Sequence, residues 1–342
     1  MSCRKDRYLR QSGLSRIGDS GQKALASASV AVVGVGALGC AEADLLARAG
    51  VGKLHLLDRD IVEWSNLQRQ CLFSESDAEQ ALSKAHAAAE RLGQVNSEIE
   101  LCPQAIDLHA GNIHNLLEGV DVVLDGSDNF AVRYLLNDWC VQERTPFVYA
   151  GAVDTYGMTG AVLPGKACLR CTWPTPPEPG ETPTCRTAGV LGSTISIVAS
   201  TAVTETIKIL VGDEASLFPG YRYFDAWENQ ARSIHAKVDP DCPCCQKRDF
   251  AYLQKAGTPV AQTLCGGGTV QLPPMAAPPD LTSIAKSLEG KVENLSLRPQ
   301  LLRFTSNDLD VFCFADGRTL IRGTEDLGRA RSMIARTLGI ST

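Results

Sequence analysis

The feature that most constrains the fold is a short apolar run ending in spaced glycines. Val30-Ala31-Val32-Val33 leads directly into Gly34-Val35-Gly36-Ala37-Leu38-Gly39, and Cys40 to Ala49 then has helical composition before Gly50. An uninterrupted β-branched run reads as a strand buried on both faces, which parallel sheets require. The same alternation continues. Lys53–Leu57 reads as a strand ended by Asp58, Ser83–Leu92 as a helix, and Ile99–Leu101 as a strand. Val120–Leu124 is a strand running into the turn Asp125-Gly-Ser-Asp128-Asn129, followed by a helix over Arg133–Gln142 and a strand over Pro146–Ala150. Strand alternating with helix predicts βαβ units, so the first half is a Rossmann-like α/β domain with a doubly wound, mostly parallel sheet.

Downstream the pattern changes. Pro174, Pro176, Pro177, Pro179 and Pro183 rule out a helix or central strand there and predict an exposed crossing loop. The stretch Gly189–Val211 is apolar but broken by Ser193, Thr194, Glu205 and Lys208, which fits a buried helix and not a membrane span. A second proline-rich stretch contains Pro273, Pro274, Pro278 and Pro279. Beyond it, Leu281–Leu288 reads as a helix and Gln300–Phe304 as a strand. A Ser306-Asn307-Asp308 turn leads to Val311–Phe314, and Asp316-Gly317 fits a hairpin before Thr319–Ile321. Thr324 is placed to cap a last helix reaching about Leu338. The chain thus divides into a nucleotide-fold domain over 1–248, a linker over 249–280 that partly belongs to the next module, and a small α/β module over 281–342.

The glycines permit a tight turn and let backbone N–H groups approach phosphates at a helix N-terminus. Asp58 lies nineteen residues after Gly39, at the end of the next strand, where a carboxylate can hold a ribose hydroxyl. These residues predict a nucleotide site without saying which nucleotide. A net charge of −6 argues against nucleic acid as a partner, so basic residues that handle phosphate must be local. Arg10, Arg69 and Lys84 are the candidates. A dehydrogenase binds pyrophosphate largely through backbone; a triphosphate that loses pyrophosphate needs cations for the charge moving onto the leaving group.

Arg7-Tyr-Leu-Arg-Gln11, the glycine loop, Asp58-x-Asp60, Ser65-Asn-Leu-Gln-Arg-Gln70 and Ser127-Asp-Asn129 together resemble the ThiF/MoeB/HesA family, bacterial relatives of ubiquitin-activating enzymes. The resemblance covers about residues 4–246. It implies that the 1–248 domain binds ATP and adenylates the C-terminal Gly-Gly carboxylate of a small ubiquitin-fold sulfur carrier. Gly34, Gly36, Ala37, Gly39 and Asp58 would bind the nucleotide, with Asp60 in support and Asn129 beside it. Asn66, Arg69 and Lys84 would contact phosphates, Arg69 from across a homodimer. Arg10 would add to that cluster and Asp128 would place Mg²⁺. The thiamine thiazole pathway is the first expectation; activation for molybdopterin synthase or for tRNA thiolation are the siblings. A sulfur donor such as a cysteine desulfurase would be a further partner.

Thirteen cysteines are too many for chance and odd in number. With no signal-peptide core near Met1–Arg10, a cytoplasmic, reducing location is expected, so metal or thiol chemistry explains them better than disulfides. Cys168-x-x-Cys171 and Cys242-x-x-Cys245 suit a closed tetrahedral zinc site, and the resemblance carries the same pairs. Cys244 lies between the second pair and leaves open whether it substitutes for a ligand. Cys185, beside Arg186, is a candidate thiol nucleophile; its setting Cys-Arg-Thr-Ala-Gly resembles ThiF-type members, whose cysteine can bond covalently to the carrier. It is equally readable as an unneeded loop thiol. Two readings of other classes stay open on the residues alone: an NAD-dependent oxidoreductase, resting on the glycine loop and Asp58, and a non-catalytic scaffold that kept the fold.

Overall fold

The apolar run and its alternating successors form one side of a large sheet. The computed structural model describes residues 7–178, 181, 183–184, 187–254, 261–263, 268–275 and 277–338, and the chain divides into two units, Met1–Ala256 and Gly257–Thr342. In the first unit the strands are β1 (Ser29–Val33), β2 (Lys53–Leu57), β3 (Glu100–Gln104), β4 (Val122–Asp125), β5 (Phe147–Val153), β6 (Tyr156–Val162), β7 (Gly220–Asp225) and β8 (Gln230–His235). They form one sheet in the order β3-β2-β1-β4-β5-β6-β7-β8. The first five pair in parallel. The last three are joined antiparallel, β5 to β6, β6 to β7 and β7 to β8.

The parallel half is as the periodicity predicts. β1 and β4 are buried along almost their whole length, since helices cover both faces. Helix Ala37–Ala49 packs on one face together with the long helix Gly192–Leu210, in an apolar cluster that includes Val30, Val32, Leu46 and Val198. Helix Phe130–Glu143 covers the other face with Tyr134, Leu135, Leu136 and Trp139. No described helix is long and apolar enough to cross a membrane. The antiparallel half does not follow from the βαβ pattern: its strands are glycine-bearing or exposed on one side, and β8 is largely exposed.

The second unit is an antiparallel sheet of six strands, not a set of βαβ units. Its order is β11 (Glu293–Arg298), β12 (Leu301–Ser306), β13 (Leu309–Phe314), β14 (Thr319–Arg322), β10 (Thr269–Leu272) and β9 (Gln262–Thr263). Two of its strands thus come from the stretch read above as linker. Asn307 and Asp308 both take positive φ, 50° and 61°, the two-residue turn geometry that a right-twisted hairpin favours. Helices Leu281–Leu288 and Leu327–Leu338 bury Ala285, Leu288, Ala330 and Ile334 against this sheet. The last helix is capped by Asp326, whose Oδ1 accepts from Gly328 and Arg329 N–H at 2.7 and 3.1 Å. Thr324, the cap expected from sequence, accepts instead from Asp326 N–H one step upstream.

Candidate functional site

In the strand order, β1 and β4 are neighbours from which the chain winds outward in opposite directions. A crevice opens there, outside the carboxyl ends of the strands, as it does in open α/β sheets generally. It is a cleft of about 960 Å³, counting the space open to solvent.

The glycines shape its floor. Gly34 leaves β1 at φ +88°, and a Cβ there would stand 2.8 Å from the Gly126 carbonyl carbon and the Ser127 nitrogen. Gly39 and Gly126 in turn press against the Gly34 carbonyl, so the loops after β1 and β4 fit together only without side chains. Gly36 is the N-cap of helix Ala37–Ala49, and a Cβ there would meet only ordinary contact distances. The helix N-terminus therefore faces the cleft with its N–H groups free of side-chain caps.

Charges surround that floor in pairs. Asp58, buried at the end of β2, accepts from Val35 N–H at 2.7 Å and from Asp60 N–H at 2.7 Å. Burial pushes its carboxyl above the usual carboxylate range, while Lys84 pulls the other way. Lys84 begins helix Lys84–Val95, is itself buried, and donates to Asp60 Oδ2 at 3.2 Å. Burial alone would lower the lysine; the carboxylates of Asp60 and Asp58 outweigh it and hold Lys84 above its ordinary value, a permanent cation. Arg59 pairs with Asp107 at 3.2 Å. On the β4 side Asp125 is fully buried. It accepts from Arg133 Nε at 2.9 Å, from Ser127 N–H at 3.0 Å and from the Ser127 hydroxyl at 2.6 Å. Arg133 also donates to the Ser127 and Ala150 carbonyls, which fixes the loop bearing Asp128.

At the other end of helix Phe130–Glu143 lies the cysteine cluster. Cys168, Cys171, Cys242 and Cys245 place their sulfurs all within 4.8 Å of one another. Neighbouring sulfurs are 3.4, 3.6 and 4.0 Å apart. A tetrahedral zinc with bonds of about 2.3 Å sets its sulfurs roughly 3.8 Å apart, so the spacing of the four thiols suits such an ion. No other group of three or more His, Cys, Asp or Glu among the described residues is arranged to hold a metal.

The ThiF family model matches residues 8–244. The chain belongs to the ThiF family. It is 39% identical over 338 residues to the sulfur carrier protein ThiS adenylyltransferase of Bacillus subtilis, covering 97% of this chain and 99% of that one. It is 38% identical to the SAMP-activating enzyme E1 of Haloferax volcanii over 70% of this chain and 88% of that one. With the adenylyltransferase and sulfurtransferase MOCS3 of Anopheles gambiae it shares 42% identity over 70% of its own length, and spans 54% of the relative. A solved structure of E. coli MccB with AMPCPP and MccA shares the fold, with a TM-score of 0.62 at 24% identity over 72% of this chain and 75% of that one.

Of the residues singled out from the ThiF-family pattern, one cleft gathers Gly34, Gly36 and Ala37 with Asp58, Asp60, Arg69, Lys84, Asp128 and Asn129. Gly39 lies behind it as a packing glycine. Arg69 lines the cleft of its own chain and donates to the Ser65 carbonyl at 2.9 Å. Asn66 is buried beneath that segment; its Oδ1 accepts from Glu63 N–H at 3.0 Å and closes the turn Trp64–Asn66. Asn129 caps helix Phe130–Glu143 through Ala131 N–H at 2.8 Å. Arg10 is elsewhere. Its neighbours Tyr8 and Gln11 pack at Gly50 and the Ala49 carbonyl, at the far end of a thirteen-residue helix that is about 20 Å long. Cys185 lies outside the described residues. Sequence reasoning passed over Arg59, Asp107, Asp125 and Arg133. The one available signal was Asp125 itself, an acid closing a fully apolar strand eight residues before an arginine on a helix.

Proposed function

We propose that this chain adenylates the C-terminal carboxylate of a small ubiquitin-fold sulfur carrier ending in Gly-Gly, with ATP as co-substrate. The observation that carries the reading is the end-to-end similarity to the Bacillus subtilis ThiS adenylyltransferase, which includes the second unit as well as the first. That similarity favours the carrier of thiamine thiazole synthesis over the molybdopterin or tRNA-thiolation carriers, since the MOCS3 relative is matched over only about half its length.

The cleft's chemistry agrees with the reaction. The Ala37–Ala49 N-terminus and the glycine loop receive phosphate, and Asp58 faces the ribose. One oxygen of the carrier's carboxylate attacks the α-phosphorus as the bond to the β-phosphate oxygen breaks. Acyl-adenylate forms and pyrophosphate leaves, with no proton transfer and no side-chain nucleophile. Charge builds on the departing oxygens, where Arg69 and the permanently charged Lys84 are positioned to stabilise it. Asp128, exposed on a loop that Arg133 fixes, would hold Mg²⁺, which supplies further neutralisation of the phosphates. The four thiols would hold zinc as a structural ion remote from that chemistry. Arg10 would join the phosphate cluster from a second copy of the chain, which accords with a homodimer, and Arg69 would act in the cleft of its own chain. Cys185 would take part after adenylation, its thiolate attacking the acyl-adenylate carbonyl so that AMP leaves and the carrier is held as a thioester, with sulfur supplied by a donor such as a cysteine desulfurase.

ATP–pyrophosphate exchange with the thiazole carrier and the molybdopterin-synthase small subunit tests this. Exchange with the thiazole carrier alone is expected; exchange with neither, from folded protein, would refute the reading. Cys185→Ser should retain exchange and lose any covalent carrier adduct by mass.

A further inference from the structure

Two residues on helix Phe130–Glu143 have no part in the cleft. Asn137 and Asp138 are both fully buried, and an amide and a carboxylate in such surroundings are costly unless every polar atom is satisfied. Their partners lie in the two cysteine knuckles. Asn137 Oδ1 accepts from Leu169 N–H at 2.9 Å, next to Cys168. Its Nδ2 donates to Cys244 Sγ at 3.4 Å and to Asp138 Oδ1 at 3.3 Å. Asp138 holds the Arg170 guanidinium with both oxygens at 3.3 Å and accepts from Tyr252 N–H at 3.1 Å. Arg170 passes on to the Asp249 carbonyl at 3.1 Å. Two adjacent helical residues thus grip Leu169 and Arg170 of the first knuckle and, directly or through Arg170, Cys244, Asp249 and Tyr252 around the second.

The knuckles are separated by seventy residues of chain, so nothing local keeps them in register. Cys244 does not belong to the set of four converging sulfurs. It is buried, and its sulfur accepts from the Asn137 amide at 3.4 Å.

We propose that Asn137 and Asp138 are positioning residues of the metal centre, and that Cys244 is an outer thiol held by the Asn137 amide, not a ligand itself. Partners of this kind orient metal ligands, and removing one costs about 10- to 100-fold in metal affinity elsewhere. The inference rests on the reading of the four thiols as a zinc site and is independent of adenylation.

The test uses the full-length zinc-loaded protein, with release to a chromogenic chelator and the absorption spectrum of the Co²⁺-substituted form. Asn137→Leu should release zinc about 10- to 100-fold faster while keeping the tetrahedral four-thiolate spectrum. Cys244→Ala should keep one metal per chain and that same spectrum; Cys244→Ser should release zinc at nearly the wild-type rate, because the hydroxyl oxygen still accepts from the Asn137 amide. Should Asn137→Leu fail to fold, Asp138→Asn replaces it, with faster release expected. Wild-type release rates in Asn137→Leu and Asp138→Asn would overturn the positioning role. A lost thiolate band in Cys244→Ala would make Cys244 a ligand and overturn its outer assignment. Wild-type protein that takes up neither metal would refute the zinc reading itself, and the inference with it.

Discussion

Near its beginning, helix Phe130–Glu143 buries Arg133 against Asp125, an ion pair complete within the chain. A little more than one turn further on, it packs beside four thiols that converge with no counter-charge of their own. The cleft end has its charges paired before any ligand arrives: Lys84 with Asp60, Arg59 with Asp107, Arg133 with Asp125. The knuckle end is organised by hydrogen bonds around four thiols whose spacing suits a metal ion. One helix therefore supports a ready site, whose charges are already paired, and a site whose thiols would need a cation. The difference lies in chemistry, because carboxylates and guanidinium groups satisfy one another, whereas thiols brought together as thiolates repel until a cation joins them.

The contrast is sharpest in what metal removal does. Thiolate–zinc binding is worth on the order of 10 kcal/mol in small finger peptides, and losing even a third of that lowers the thermal midpoint of a domain this size by roughly 10 °C. Chelation, or Cys168→Ala, should have that effect while ATP binding, measured below the new midpoint, weakens far less; equal loss of both would break the comparison. At the ready end, Asp125→Ala strands the Arg133 charge in the core, which costs about 3–5 kcal/mol. Denaturant unfolding should show it, together with loss of exchange activity as the Asp128 loop comes free. Arg69→Ala removes a cation without unpairing a buried acid. Pyrophosphate exchange should fall by about 10²- to 10³-fold with the unfolding midpoint unchanged, and an unchanged rate would remove Arg69 from the chemistry.

The smallest effect comes from an acid that neither end satisfies. Glu42 is fully buried in helix Ala37–Ala49, and neither carboxylate oxygen has a hydrogen-bond partner among the described residues. Burial, with Asp125 nearby, pushes its carboxyl well above the usual range. A raised carboxyl favours the folded state fully only below the unfolded value and loses that contribution as pH climbs toward the folded one. Glu42→Gln should therefore be little changed near pH 4.5 and progressively more stable than wild type toward pH 6, by at most about 1.4 kcal/mol per pH unit. A stability difference that does not vary with pH would show Glu42 ionised in the fold.

Much of this was written locally, and the part that was not has a common cause. Val30–Val33 and its glycines announced β1, the turn and the helix because a run buried on both faces and a glycine loop are signals within ten residues. Leu281–Leu288 and the Asn307-Asp308 turn were equally plain. β6 was not, since Tyr156–Val162 contains Gly157 and Gly160, which pack where any Cβ would collide with backbone, and its identity comes from neighbours β5 and β7. β11 was missed because in Glu293–Arg298 only Leu295 and Leu297 alternate with polar residues, on a largely exposed edge. In the site, the acids and cations were legible as residue types, but the Asp125–Arg133 pair joins a strand end to a helix face, and only the fold brings them together. The distance of Arg10 from the cleft has the same origin: a sequence gives spacing along the chain, not which end of a helix a neighbouring turn will rest on.

Asp58 ties the amide of Val35, in the middle of the glycine loop, to that of Asp60, just past β2. In kinetic terms the loop is latched by the same carboxylate proposed to meet the ribose. Those two amides should exchange with deuterium slowly in the nucleotide-free protein, hardly slower once nucleotide is bound, and the entropy of ordering the loop will have been spent during folding, leaving association limited by diffusion and charge instead of by closure.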